Sequence, residues 1–136
     1  MKKKTILIID DHADTRLLVS ARLKKHQYNT VFAADAMQAI AVARETQPDA
    51  ILLDLSLPGG NGFIVLTRLK ANTALSGIPV IILTADESPE SELKGLEAGA
   101  EAFLHKPVQE EALIAAVEGA VGSVSESPID NARLEF

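Results

Sequence analysis

Apolar residues along this chain gather into short blocks separated by helical stripes. Thr5–Ile9, Ala50–Leu53, Pro79–Leu83 and Ala102–Leu104 are blocks of strand length. Most are rich in Ile, Leu or Val and show no polar alternation, the pattern of strands covered on both faces by helices. Tyr28–Ala33 is a further candidate, more polar at its start, and belongs nearer a sheet edge. Asp14–Gln27 reads as a helix with Leu18, Val19 and Leu23 on one stripe and Arg16, Lys24 and Lys25 outside it. Asp35 can cap a helix running to about Thr46, with Ala36, Ala39, Ile40 and Ala43 inward, which Pro48 stops. Gly62–Ala71 carries Phe63, Leu66 and Leu69 at helical spacing. Ser88-Pro89-Glu90-Ser91 starts another helix: a capping Ser, Pro in the first position and an acid in the first turn. It ends at Gly99. Glu110–Val121 places Leu113, Ala116, Val117 and Ala120 on one face, with Ile114 and Val121 outside that stripe, as core positions or partner contacts. Strand and helix thus alternate five times, which implies a parallel sheet with right-handed crossovers.

The 136 residues make room for one domain, spanning 1–121. From Gly122 onward, Ser123, Ser125, Ser127 and Pro128 give 122–136 the look of a tail or linker. Apolar residues form 47% of the chain, enough for a real core. Lys plus Arg total 13 against 19 Asp plus Glu, a net charge of −6 that argues against a nucleic-acid surface. Trp is absent and Phe and Tyr are few, so a base-stacking platform is not expected. The chain lacks Cys, which excludes disulfides, thiolate metal sites and a cysteine nucleophile. That composition fits a reducing compartment, and a cytoplasmic location is expected. No apolar run approaches the roughly 18 residues of a membrane span. Lys2 to Lys4 could open a signal peptide, but Asp10-Asp11 ends the apolar stretch that follows too soon.

Open parallel sheets bind ligands outside the carboxyl ends of their strands. Here the first strand ends in Asp10-Asp11, the third in Asp54 and the fourth in Thr84. The fifth runs through His105 into Lys106-Pro107, and the second ends in Ala33-Ala34, which carries no chemistry. Three carboxylates, a hydroxyl and an ammonium therefore converge on one edge. Two carboxylates ~5 Å apart at an effective dielectric of ~20 repel by roughly 3 kcal/mol. Lys106 neutralises part of that charge, and a hard divalent cation such as Mg²⁺ is the natural remainder.

In this order and spacing the motifs are specific. Ile8-Ile9-Asp10-Asp11, Asp49-Ala50-Ile51-Leu52-Leu53-Asp54, Leu57-Pro58 with Asn61-Gly62, Leu83-Thr84-Ala85, Ala98-Gly99-Ala100 and Lys106-Pro107 resemble the receiver domain of two-component response regulators, of the single-domain chemotaxis type. The resemblance covers roughly Lys4 to Val121. It implies a flavodoxin-like (βα)5 doubly wound α/β fold, a five-stranded parallel sheet in the order 2-1-3-4-5. It implies that Asp54 is the phosphoacceptor, taking a phosphoryl group from a sensor histidine kinase or a phosphotransfer protein. Asp11, Asp54 and the backbone carbonyl of Ser56 are then the Mg²⁺ ligands, with Asp10 acting through water and Mn²⁺ able to substitute. Lys106 screens phosphoryl charge, Thr84 bonds the phosphoryl group, and Thr84 and Phe103 form the switch. Lys106-Pro107 matches a peptide usually cis in the family. The implied protein is a signalling phosphoprotein that catalyses its own phosphorylation and dephosphorylation, rather than a metabolic enzyme. Its partners are proteins, an output domain among them, not nucleic acid or membrane.

Some positions depart from the pattern. Phe103 stands where many members have Tyr, so a switching role and a simple core role both remain open. Gly60-Asn61 stands where an acid often precedes the Gly. Ser56 and Asp86 match positions that tune dephosphorylation in the family. His12 and His105 read as structural or solvent-facing residues rather than catalytic ones. An FMN-binding flavodoxin shares the topology, but Asp10-Asp11-His12 would repel the FMN phosphate. A haloacid-dehalogenase-type phosphatase needs its Asp nucleophile after the first strand. The alternative that remains is a pseudo-receiver, a docking or dimerisation module that works without phosphorylation.

Overall fold

A computed structural model of the chain describes residues 3–57 and 62–126, the last four of them as backbone only. Among these residues, strands and helices alternate: β1 (Thr5–Ile9), α1 (Ala13–Lys25), β2 (Asn29–Ala33), α2 (Ala36–Thr46), β3 (Ala50–Leu53), α3 (Gly62–Ala71), β4 (Val80–Thr84), α4 (Pro89–Glu97), β5 (Ala102–His105) and α5 (Glu110–Glu126). The strands form one sheet in the order β2-β1-β3-β4-β5. Every pairing is parallel, with Ile9 opposite both Ala33 and Leu53, Leu53 opposite Ile82, and Thr84 opposite His105. The expected flavodoxin-like order is therefore observed.

The period-two geometry of the strands divides the core into two layers. Leu7, Ile9, Ile51, Leu53, Val80 and Ile82 pack with Ala39 and Ala43 of α2 and Leu66 and Leu69 of α3. Ile6, Ile8, Ala50, Leu52, Ile81 and Leu83 pack with Val19 and Leu23 of α1 and Leu113 and Val117 of α5. The central strands β1, β3 and β4 are apolar on both faces because both faces are covered. Both β2 and β5 are edge strands, and β5 is only partly buried.

Local signals account for the element ends. Asp35 accepts a hydrogen bond from the Gln38 amide at 2.8 Å, and the Gln38 side chain accepts one from the Ala34 amide at 3.0 Å. This reciprocal cap satisfies two otherwise orphaned donors at the start of α2. Ser88 caps α4 by accepting from the Ser91 amide at 3.2 Å. Past α4, Gly99 adopts φ 111°, a left-handed conformation that favours glycine. Asp49 accepts a hydrogen bond from the Thr5 amide at 2.8 Å, tying the entry of β3 to the start of β1.

Some expectations need correction. Leu18 is 52% exposed, off the buried stripe of α1. The buried stripe instead joins Ser20 to Val19 and Leu23, and the Ser20 hydroxyl contacts that of Thr30 in β2 at 2.7 Å. Ile114 and Val121 are 7% and 5% exposed and belong to the core, which favours the packing role over a partner contact. The α1 helix ends at Lys25, two residues early, because Gln27 takes a φ of 73°. The α5 backbone stays helical to Glu126, five residues past the expected end. Ser and Val lower helix propensity without breaking it, and no proline lies between Glu110 and Pro128. Pro58, Gly60 and Asn61, and the tail from Ser127 onward, lie outside the described residues.

Candidate functional site

Parallel strands deliver their last residues to the same edge, and the ladder continues just past them. The Asp10 amide donates to the Ala33 carbonyl at 3.1 Å, and the Asp54 amide donates to the Ile9 carbonyl at 3.0 Å. Both aspartates are thereby locked by backbone bonds at the ends of adjacent strands. Their side chains are almost completely buried, as is Thr84 at the end of β4.

Lys106 follows β5, and its amide donates to the Thr84 carbonyl at 2.9 Å. Its peptide bond to Pro107 is cis, as expected. The Lys106 ammonium reaches back across the cleft, donating to Asp10 Oδ2 at 2.7 Å and to Asp54 Oδ2 at 3.0 Å. Burial works against the ammonium, but its hydrogen bonds and charge pairing with Asp10 and Asp54 outweigh this and hold its pKa above the ordinary value. One ammonium cannot balance two buried carboxylates and the nearby Asp11.

The Oδ1 edges are engaged differently. Asp10 Oδ1 accepts from the His12 amide at 2.9 Å, and Asp54 Oδ1 accepts from the Ser56 amide at 3.1 Å. One candidate ligand atom from each of Asp10, Asp11, His12 and Asp54 lies within 4.8 Å of the others. Oxygen donors concentrated in this way, with excess negative charge, fit a hard divalent cation of the Mg²⁺ type. Thr84 Oγ1 accepts from the Asp86 amide at 3.3 Å.

The structure thus brings Asp10, Asp11, Asp54 and Lys106 together, with Ser56 beside Asp54 and Thr84 at the next strand end. Asp86 is engaged elsewhere: it accepts from the Ser88 amide and the Ser91 hydroxyl at the start of α4. The Ser91 hydrogen bond, then those from Ser88, hold its carboxyl below the ordinary carboxylate value. Phe103 is half-buried, packed against the α2–α3 layer, with its ring 5.3 Å from that of His105.

The sequence reading undervalued some contributors. His12 is exposed, yet its Nδ1 lies 3.3 Å from both Asp10 Oδ1 and Asp11 Oδ1. Its position directly after an acidic pair was the available signal. Arg16 donates to the Asp10 carbonyl at 2.7 Å, fixing the turn into α1. Gly62 has a steric reason: a Cβ there would meet the Asp54 carbonyl oxygen and Leu55 Cα, each at 2.6 Å. Only glycine lets α3 start against the end of β3, and the Gly62 amide donates to the Leu55 carbonyl at 2.7 Å.

A sequence model of the response regulator receiver domain matches residues 6–118. The chain belongs to that family, the signal-receiving module of two-component systems. It is 37% identical over 134 residues to the phosphate regulon transcriptional regulatory protein PhoB of Pseudomonas aeruginosa, covering 96% of this chain and 58% of PhoB. It is also 37% identical over 109 residues to protein PilH of Pseudomonas aeruginosa, covering 80% of this chain and 90% of PilH. The chain therefore spans little more than half of a relative such as PhoB and most of PilH. Among solved structures, the receiver domain of the sensor histidine kinase PA1611 from Pseudomonas aeruginosa, with magnesium coordinated in its active-site cleft, superposes with a TM-score of 0.82. It is 28% identical, and the match covers 90% of this chain and 100% of that one. No described helix is long and apolar enough to cross a membrane.

Proposed function

We propose that this domain is a phosphoacceptor: Asp54 takes a phosphoryl group from a phosphohistidine on a sensor kinase or phosphotransfer protein. The observation that carries the reading is the buried Asp54 carboxylate, bonded by Lys106 and sharing its cleft with Asp10 and Asp11. Asp11, Asp54 and the Ser56 carbonyl would hold Mg²⁺, with Asp10 acting through water. Magnesium in the cleft of the PA1611 receiver supports this assignment. Bound there, the ion supplies positive charge against the phosphoryl oxygens.

The residues of the chain do the rest. A carboxylate oxygen of Asp54 attacks phosphorus as the P–N bond breaks, and the electron pair returns to the donor imidazole. The backbone bond from Asp54 to Ile9 fixes the angle of attack. Lys106, held charged by its two partners, moves from the carboxylates onto the new phosphoryl oxygens. Thr84 only accepts in its bond with the Asp86 amide, so its hydroxyl proton is available to the phosphoryl group. Drawing Thr84 inward alters the β4–α4 turn and opens space beside Phe103. The surface of α4, β5 and α5 then shifts between two populations that partners tell apart. The relatives named for transcriptional regulation suggest an output domain joined to such a receiver.

Intact mass after incubation with acetyl phosphate, with and without Mg²⁺, tests the reading. A Mg²⁺-dependent phosphoryl adduct that Asp54→Asn abolishes is expected. An adduct of equal yield in Asp54→Asn would overturn the acceptor assignment.

A further inference from the structure

We propose that Arg22 is a positioning residue for phosphoryl transfer: its guanidinium braces the backbone behind Lys106 and so sets where the Lys106 ammonium sits. The inference rests on the reading above, because it takes Lys106 to meet the phosphoryl oxygens.

Lys106 has a long reach and needs a fixed base. Its ammonium crosses the cleft to Asp10 Oδ2 at 2.7 Å and to Asp54 Oδ2 at 3.0 Å. A flexible four-carbon stem places its charge well only where the backbone beneath it is held. On one side the backbone is held, since the Lys106 amide donates to the Thr84 carbonyl at 2.9 Å. On the other side β5 has already ended at His105, and α5 begins only at Glu110. The stretch between them belongs to neither element and takes its support from elsewhere.

That support comes from α1. Arg22 Nη1 donates to the Val108 carbonyl at 2.7 Å, two residues past Lys106. Pro107 stands between the two, and its ring removes one backbone torsion from the link. A guanidinium bond to a carbonyl is charge-assisted and stronger than a neutral one.

Packing around this bond is sparse. A groove of about 420 Å³ on one side is lined by Leu18, Arg22, Lys106 and Val108. A second, of about 890 Å³, is lined by Arg22, His26, Val108 and Glu110. Arg22 therefore crosses a gap that side-chain packing leaves open. Two further ties run from α1 to the start of α5: Lys25 Nζ lies 2.9 Å and His26 Nε2 3.1 Å from Glu110 Oε2. Both are exposed pairs, a kind that holds weakly, whereas the Arg22 bond is partly buried. With Thr84 and Arg22 gripping the backbone on either side, the Lys106 side chain can swing while its base stays still. Without Arg22 the base drifts, and a misplacement of about 1 Å can slow a reaction by up to about a hundredfold.

Uptake of phosphoryl from acetyl phosphate at saturating Mg²⁺, followed by intact mass, tests this beside a direct view of Lys106. That view is the exchange of the Lys106 ammonium protons with water, read by magnetic resonance of labelled lysine in EDTA without phosphodonor. Arg22→Met keeps the apolar stem and a good helix former, and urea unfolding checks that the variant is folded. It is expected to slow uptake by about tenfold and to speed the proton exchange by at least about fivefold. Arg22→Lys can still donate to one carbonyl and is expected to restore both to within about threefold of wild type. Lys25→Met, which removes only an exposed pair, is expected to change neither. Unchanged uptake in Arg22→Met overturns the proposal. So does slowed uptake with Lys106 protons exchanging as in the wild type, because Arg22 then acts on the fold and not through Lys106. Absence of the adduct from the wild type overturns the phosphoacceptor reading instead, and the exchange measurement still decides whether Arg22 holds Lys106.

Discussion

Replacing Lys106 with Met removes a charge and keeps most of the side-chain volume. In the native cleft the ammonium bonds Asp10 and Asp54, whose carboxylates are both almost completely buried. Without it, two carboxylates with ligand atoms within 4.8 Å face each other uncompensated. At an effective dielectric of ~20 that repulsion is about 3 kcal/mol, in line with the cost of orphaning a buried partner. Against a typical ~5–15 kcal/mol of domain stability, the variant should fold but be clearly weakened.

The expected signature is electrostatic. Urea unfolding of Lys106→Met in EDTA at pH 7 should show a loss of about 3 kcal/mol. Millimolar Mg²⁺ should restore part of it, and adding Asp54→Asn should restore more, because one of the repelling charges is gone. In the wild type, the Lys106 pKa lies above its ordinary 10.5. Its stabilisation is therefore complete below pH 10.5, so it is fully present at pH 7, and it fades only as pH climbs through the raised value. A loss in Lys106→Met that neither Mg²⁺ nor Asp54→Asn relieves would refute the charge argument and make Lys106 a packing residue.

The same cleft gives further expectations. Mg²⁺ should raise the wild-type melting temperature, with about 2.7 kcal/mol of stabilisation at a hundredfold excess over its dissociation constant; no shift in a thermal scan at millimolar Mg²⁺ would count against the metal assignment. Gly62→Ala should cost about 1–3 kcal/mol in urea unfolding, because its Cβ meets backbone atoms of Asp54 and Leu55 that cannot swing aside. It should also slow phosphoryl uptake by displacing the Asp54 carbonyl; a variant with wild-type stability and uptake would show that α3 can shift at no cost.

Some of this architecture is plain in the sequence and some is not, and the division has physical causes. Strands covered on both faces become unbroken apolar runs, so Thr5–Ile9 and Ala50–Leu53 are legible without alternation. The site is legible for a related reason: chemistry in a parallel sheet sits directly after such runs, which singles out Asp10, Asp54, Thr84 and Lys106. Helix faces are harder, because a side chain's direction depends on what the opposite surface offers. Ser20 is buried because Thr30 on β2 supplies a hydroxyl partner while Leu18 lies exposed, and nothing local to α1 announces either. Ile114 and Val121 are buried because the core of the α1–α5 layer is wider than one helical stripe. The roles of His12 and Arg16 arise from the turn after β1, whose geometry no periodicity encodes.

The charge balance explains why this turn matters. A sheet that buries Asp10 and Asp54 beside a single lysine is left with net negative charge at its working edge. That imbalance costs stability in the resting domain, and it makes the domain responsive. On the proposed function, a cation would relieve it, and a phosphoryl group drawn in with the cation would redistribute Lys106 and Thr84. A fully neutralised cleft would be more stable and would have no reason to change when either arrives. Because the backbone of Asp10 and Asp54 is held by the central strands, the electrostatic change would be passed to the side chains of Lys106 and Thr84 and to the turn that begins α4. The residues least able to move thus carry the charge, and those just beyond the strands carry the response.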